Sequence, residues 1–388
     1  MKRLFLFLIT LFLFFACDRK EKKMENLDVS FEILFVGTYT QKEGHVDGQG
    51  EGIYVYAMDK QTGRLSYLNV SDSTISPSYV AVHSNGEFVY AVNEFDGGNK
   101  GLATVSAFEY DQKTHALKGI NSQSSLGQYP CHISIDNTGQ YVMAANYVGG
   151  SVALYPIEKN GALGVHSSYK KHQGSSAHPR QDAPHAHQIM QHPRLGFVTA
   201  VDLGADRIYE YEIDSIGQTL NYVNDYPNSP RMSGPRHMAF HPTLDIAYTL
   251  NELLGTVEVA PINEKDRFQR IFQVISTQED DDMRAPASAA IKIHPSGRFL
   301  YTSNRGELNE IVLFSMDKKG ILTKVTTQPT LGLTPRDFEI DPSGRFLLVA
   351  NQDSNTIVTF EINQETGILK EIGETAEVPT PVCLKFLN

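Results

Sequence analysis

Along Gly234–Glu252, read GPRHMAFHPTLDIAYTLNE, polar and apolar positions exchange in a pattern that predicts a β-hairpin. Arg236–Phe240 mixes polar and apolar residues in a short strand-like run, and Ile246–Leu250 is rich in β-branched and aromatic residues. Between them His241-Pro242-Thr243-Leu244-Asp245 turns the chain, with the proline as punctuation. Folding back brings Arg236 and Glu252 to the same end of adjacent strands.

The same pattern starts again at Pro77, Pro130, Ala186, Ser288 and Pro335. In each copy a His or Asp (His83, Asp136, His192, His241, His294, Asp341) stands ten residues before an Asn or Asp. Those partners are Asn93, Asn146, Asp202, Asn251, Asn304 and Asn351, with successive spacings of 53, 56, 49, 53 and 47. A period near fifty with several strands per copy predicts the blades of a β-propeller. A seventh copy is split. Pro379–Phe386 matches the first strand of a unit, and Ile33–Tyr39 matches the second. Their pairing would close the ring and remove its edges. The expected fold is therefore an all-β, seven-bladed propeller whose N- and C-terminal strands share one blade.

The first thirty residues break the pattern. Lys2 and Arg3 precede the apolar run Leu4–Phe15, which is too short for a membrane span and predicts a secretory signal over residues 1–16. Ala16-Cys17 at its end resembles a bacterial lipoprotein cleavage site, although Phe14 replaces the usual aliphatic residue. Residues 17–30 then read as a lipid-anchor Cys17 and a charged linker, and 31–388 as the propeller. An exported lipoprotein is expected, membrane-anchored through lipid alone, periplasmic or at the cell surface.

Composition sharpens this picture. Net charge is −11, and no basic run follows the signal, so a nucleic-acid partner is not expected. Of three Cys only Cys131 and Cys383 fall in the propeller, both in strand-like segments, where buried thiols are the expectation. A monomer without a cofactor is expected.

The repeats serve as an internal control: a charge present in only some blades needs its own reason. One residue into the first strand, the series runs Ser78, Cys131, His187, Arg236, Ala289, Arg336. Just past the Asn register it runs Glu94, Tyr147, Leu203, Glu252, Arg305, Gln352. Both lie at one end of the inner hairpin, hence at one mouth of the channel. His187, Arg236, Glu252, Arg305 and Arg336 can therefore converge, with His185 expected on the strand face of His187. Arginines suit bidentate binding of a carboxylate or phosphate. A His and a Glu beside them supply acid–base capacity, unless the Arg and Glu simply pair as a structural network. A metal held by His178, His185 and His187 lacks a carboxylate spaced to complete it, and no metal is expected. Two loops interrupt the rhythm: Gly-rich His45–Gly52 and polar His172–His185.

FVGTYT, DAPHAHQ, DLGADRIYEYEID, GPRHMAFHP, LNE and SNRG together resemble the lactonase family. Its members include bacterial 6-phosphogluconolactonases and fungal carboxy-muconate cyclases. The resemblance implies His187 (or His185), Arg236, Glu252 and Arg305 as active-site residues. It also implies water attack on a small-molecule lactone, with Glu252 or His187 as base and the arginines on the anionic substrate, to which Arg336 and His185 would add. A lactonizing cyclase of the muconate type and a non-catalytic binding propeller are the alternatives. Export sits oddly with a phosphorylated cytoplasmic sugar and favours an unphosphorylated lactone.

Overall fold

The computed structural model describes residues 30–98, 103–228, 230–263, 267–279 and 281–387. The expected signal segment and Cys17 lie outside them. Seven antiparallel sheets follow one another around a central channel. The inner strands are Pro77–Val82, Pro130–Ile135, Ala186–Gln191, Pro235–Phe240, Ser288–Ile293, Pro335–Ile340 and Pro381–Phe386. The last belongs to the split blade: it pairs with Phe31–Thr38, placing Leu34 opposite Phe386 and Gly37 opposite Cys383. We number that blade one and continue in chain order.

Burial explains the layering within a blade. The second strands, such as Phe299–Asn304 and Phe346–Asn351, are buried on both faces because a neighbouring blade covers each side. The outermost strand Leu369–Glu377 alternates instead, and Lys370, Glu371 and Glu377 keep its free edge in water. Between blades five and six, Ile246, Tyr248 and Leu250 pack with Leu300, Val312 and Phe314 in one apolar cluster.

The His of the repeat ties blades together at the hairpin turns. His83, His241 and His294 each set Nε2 against the turn-glycine carbonyl of the next blade, Gly139, Gly297 and Gly344, at 3.0, 3.0 and 2.8 Å. Gly297 sits at φ +69°, and a Cβ there would stand 2.8 Å from the His241 ring. Only glycine both adopts the turn and admits the imidazole. The Asn register satisfies backbone at the other hairpin end: Asn146 Nδ2 donates to Ser125 O and Asn351 Nδ2 to Thr330 O. Cys131 and Cys383 are free and buried.

Each inner strand also carries a register shift in its first residues. The partners jump between Pro77 and Tyr79, Pro130 and His132, Ala186 and Gln188, Pro235 and His237, and Pro335 and Asp337. Blade six shifts between Ser288 and Ile291, and blade one opposite Gly37/Thr38. The extra residue in five of these blades is Ser78, Cys131, His187, Arg236 or Arg336. A bulge re-aims the residue it holds. The non-uniform register of the sequence is thus a ring of bulges around one channel mouth.

Candidate active site

A cavity of about 520 Å³ occupies that mouth. Bulge residues His187, Arg236 and Arg336 form its inner wall. Glu94, Tyr147, Glu252 and Arg305, which leave the second strands at the same level, form its sides. Glu252 is the hub. Its Oε1 accepts from Arg180 Nη1 at 2.6 Å and pairs with Arg305 Nη2 at 3.1 Å, while Oε2 pairs with Arg236 Nε at 3.0 Å. Burial alone would raise the Glu252 pKa. The guanidiniums of Arg305, Arg236 and Arg180 outweigh it and hold the carboxyl at about 2. Arg236 is itself buried, with Nη1 on the Ala289 carbonyl, and desolvation together with Arg305 brings it down to about 10.

A second carboxylate faces the first. Glu94 Oε2 accepts from Ser78 Oγ at 2.5 Å, and Oε1 from Arg336 Nη2 at 3.3 Å. Arg336 also lies over the Tyr39 ring, 5.4 Å from its centroid. His187 is buried, and burial, then Arg236 and Arg336, hold its pKa well below the usual histidine range. Cys131 lines the wall, and burial pushes its thiol pKa up, which makes it a poor nucleophile.

His187, Arg236, Glu252, Arg305 and Arg336 thus come together at one mouth. His185 does not line the cavity. The bulge at His187 interrupts the two-residue alternation on which a shared face depended. The His185 ring stacks instead on Tyr147 at 4.6 Å, with Nδ1 3.1 Å from the Tyr147 carbonyl oxygen. Sequence reasoning overlooked two further residues. Arg180 arrives on the 3₁₀ turn Pro179–Gln181 of the polar insertion and also donates to Tyr147 Oη at 3.1 Å. His45 arrives on the Gly-rich loop and lines the cavity. Both loops stand out in the sequence as breaks in the repeat. Among the described residues, no three His, Cys, Asp or Glu side chains gather as metal ligands.

Below the mouth, His187, His237 and His132 close the waist of the channel, with ring centroids 5.1 and 5.7 Å apart in that order. Beyond them a second cavity of about 630 Å³ opens at the far mouth. Its ammonium groups, Lys292 and Lys385, both pair with Glu339 Oε2, at 3.0 and 3.1 Å. Among the described residues no arginine lines this second cavity.

Fold and site place the chain in a defined class: it belongs to the lactonase family of seven-bladed β-propellers, whose family model matches residues 33–386. It is 35% identical to the 6-phosphogluconolactonase of Bacillus subtilis over 357 residues, 92% of this chain and 98% of that protein. It is 34% identical to the 6-phosphogluconolactonase of Formosa agariphila, across 87% and 95% of the two chains. The structure of a periplasmic gluconolactonase from Pseudomonas aeruginosa superimposes with a TM-score of 0.85 at 32% identity, covering 92% and 99% of the chains.

Proposed function

We propose that the protein hydrolyses the ring ester of a sugar lactone, and that Glu252 serves to hold its arginines in place. One observation carries this reading: three guanidiniums converge on a single buried carboxylate at the rim of a cavity. A carboxylate gripped on both oxygens is a poor proton acceptor and a good template. It fixes Arg180, Arg236 and Arg305 with their remaining N–H groups free to meet charge. The cavity wall carries Arg180, Arg236, Arg305 and Arg336 against Glu94, Glu252 and Asp353, a positive excess in a chain of net charge −11. Such an excess suits an aldonate-like product and the oxyanion that forms when water attacks the lactone carbonyl. His187, kept neutral by burial, adds a ring N–H to that oxyanion, as a neutral imidazole can.

Substrate and location go together in this proposal. Residues 1–16 act as an export signal, Cys17 carries lipid, and the propeller works outside the cytoplasm on an unphosphorylated aldonolactone. The similarity to a protein named a periplasmic gluconolactonase supports it. Turnover of glucono-1,5-lactone by the purified protein, measured beside the 6-phosphorylated lactone, tests the reading. Preference for the unphosphorylated lactone is expected. Absence of turnover with both would overturn the lactonase assignment.

A further inference from the structure

Hydrolysis by this site requires an acceptor for the proton of the attacking water. Glu252 is a poor acceptor, since Arg180 and Arg305 lie 2.6 and 3.1 Å from Oε1 and the Arg236 guanidinium pairs with Oε2 at 3.0 Å. His187 is a poor acceptor, because an imidazolium there would be buried among like charges. Its side chain has Arg236, Arg336 and Arg305 as electrostatic neighbours.

His45 shares Arg336 and Arg305 with His187, but the carboxylates of Glu94 and Glu43 stand beside it as well. The hairpin Lys42–Glu43/Val46–Asp47 carries it over the mouth. This hairpin is pinned in place: Tyr129 Oη donates to Glu43 Oε2 at 3.0 Å, Gly50 N to Tyr39 O at 2.8 Å, and Gln49 N to Thr380 Oγ1 at 2.9 Å. The His45 side chain is 42% exposed, so a proton taken there can leave to solvent. Nε2 stands 3.3 Å from Tyr39 Oη and 3.9 Å from Glu94 Oε1. A carboxylate and a phenol oxygen on that side favour the proton on Nε2, which leaves the Nδ1 lone pair without a hydrogen-bond donor among the described residues. A base whose far nitrogen is oriented by an acid is the arrangement that general-base histidines use.

We propose that His45, oriented by Tyr39 and Glu94, is the catalytic base of the lactonase reaction; the role rests on the reading of the previous subsection. The water oxygen bonds to the lactone carbonyl carbon as its proton passes to His45 Nδ1, and the carbonyl electrons move onto oxygen beside the arginines. The oxyanion collapses, the bond from the acyl carbon to the ring oxygen breaks, and that oxygen leaves as a hydroxyl with the proton from His45. The resulting hydroxy acid ionises to solvent. Glu43, Glu94, Arg305, Arg336, Tyr39 and Tyr129 are the titratable and charged groups around His45. Burial, helped by Arg336 and Arg305, lowers its pKa against the pull of Glu94 and Glu43. The basic form therefore prevails at neutral pH, and protonation of His45 removes activity on the acid side.

Hydrolysis of glucono-1,5-lactone by the full-length protein, followed in a pH-stat, tests the assignment. His45→Ala should lower kcat roughly 10²–10⁴-fold with KM within about twofold, lose the acid limb of the kcat profile, and regain rate with added imidazole. Glu94→Gln should keep partial activity and move the acid limb to lower pH, because the charge favouring imidazolium is gone. Full kcat in His45→Ala, or an unchanged acid limb, overturns the role of His45 while lactonase activity stands. A wild-type protein inert toward both lactones overturns the lactonase reading and this role with it.

Discussion

The three buried imidazoles at the channel waist should make the propeller acid-labile in a countable way. His132, His187 and His237 are each 4–5% exposed, and desolvation, reinforced by Arg236 and, at His132 and His237, Lys292, holds their pKa values well below 6.5. A folded-state value below the unfolded one gives stability that is complete above pH 6.5 and lost as pH falls, because only the unfolded chain then takes up the proton. Each residue loses somewhat over ~1 kcal/mol at pH 5.5, by RT ln(1 + 10^(6.5−pH)), and almost nothing at pH 7.5. Three together lose about 4 kcal/mol, a large share of the roughly 5–15 kcal/mol that holds a native fold. His192, pressed to about 4 by burial and Arg194, acts in the same direction, so the decisive quantity is a difference between proteins. Urea midpoints at pH 7.5 and 5.5, followed by far-UV circular dichroism, should drop steeply for the wild type. His132→Gln and His237→Gln should each shrink that drop, by on the order of 1 kcal/mol in unfolding free energy. A wild-type midpoint that is flat between the two pH values, or variants that keep the full drop, would refute the assignment of neutral waist histidines.

Arg180→Ala removes a half-exposed guanidinium, so it should leave the melting temperature within about a degree while raising KM for lactones several-fold. Arg305→Lys keeps the charge but loses the fork to Glu252 and the Ala287 carbonyl, so kcat/KM should fall about tenfold or more; Arg298→Lys, exposed at the opposite end of its hairpin, is the matched control with unchanged kinetics. Deleting Val378–Asn388 removes the buried Leu384, Phe386 and Val378 and exposes blade one; the melting temperature should fall sharply with visible aggregation, and an unchanged value would contradict closure through the terminal strands. Cys17→Ser should release the protein from the membrane fraction into the soluble extracytoplasmic fraction, and equal membrane association in both forms would argue against the lipid anchor.

The propeller and its closure were legible because repetition converts weak local signals into a register. Thr38 opposite the Pro381 end of the chain could be assigned only by counting against the Asn series. The same counting isolated Arg236, Glu252, Arg305, Arg336 and His187, since a position that varies among equivalent blades is released from packing. What stayed hidden depends on geometry that repetition does not encode. A bulge leaves no mark in residue type, so the orientation of His185 was misjudged by one alternation. Arg180 and His45 sit on loops without counterparts in other blades, where no register exists to compare. The occupancy of Glu252 is a matter of ångströms: the sequence does not reveal that Arg180, Arg236 and Arg305 all pair with it at once.

A side chain on a bulge answers to no pleat. Replacing it leaves the strand's alternation and its cross-strand partners as they were, so the seven extra residues behave as sockets around one opening, each fitted separately from the wall that carries it. In this chain Ser78 is a plain socket, while His187, Arg236 and Arg336 are armed. A descendant could trade one lactone for another, or exchange hydrolysis for binding, by refitting two or three sockets and lengthening a loop, with only such local inter-blade bonds as that of Arg236 to the Ala289 carbonyl to replace.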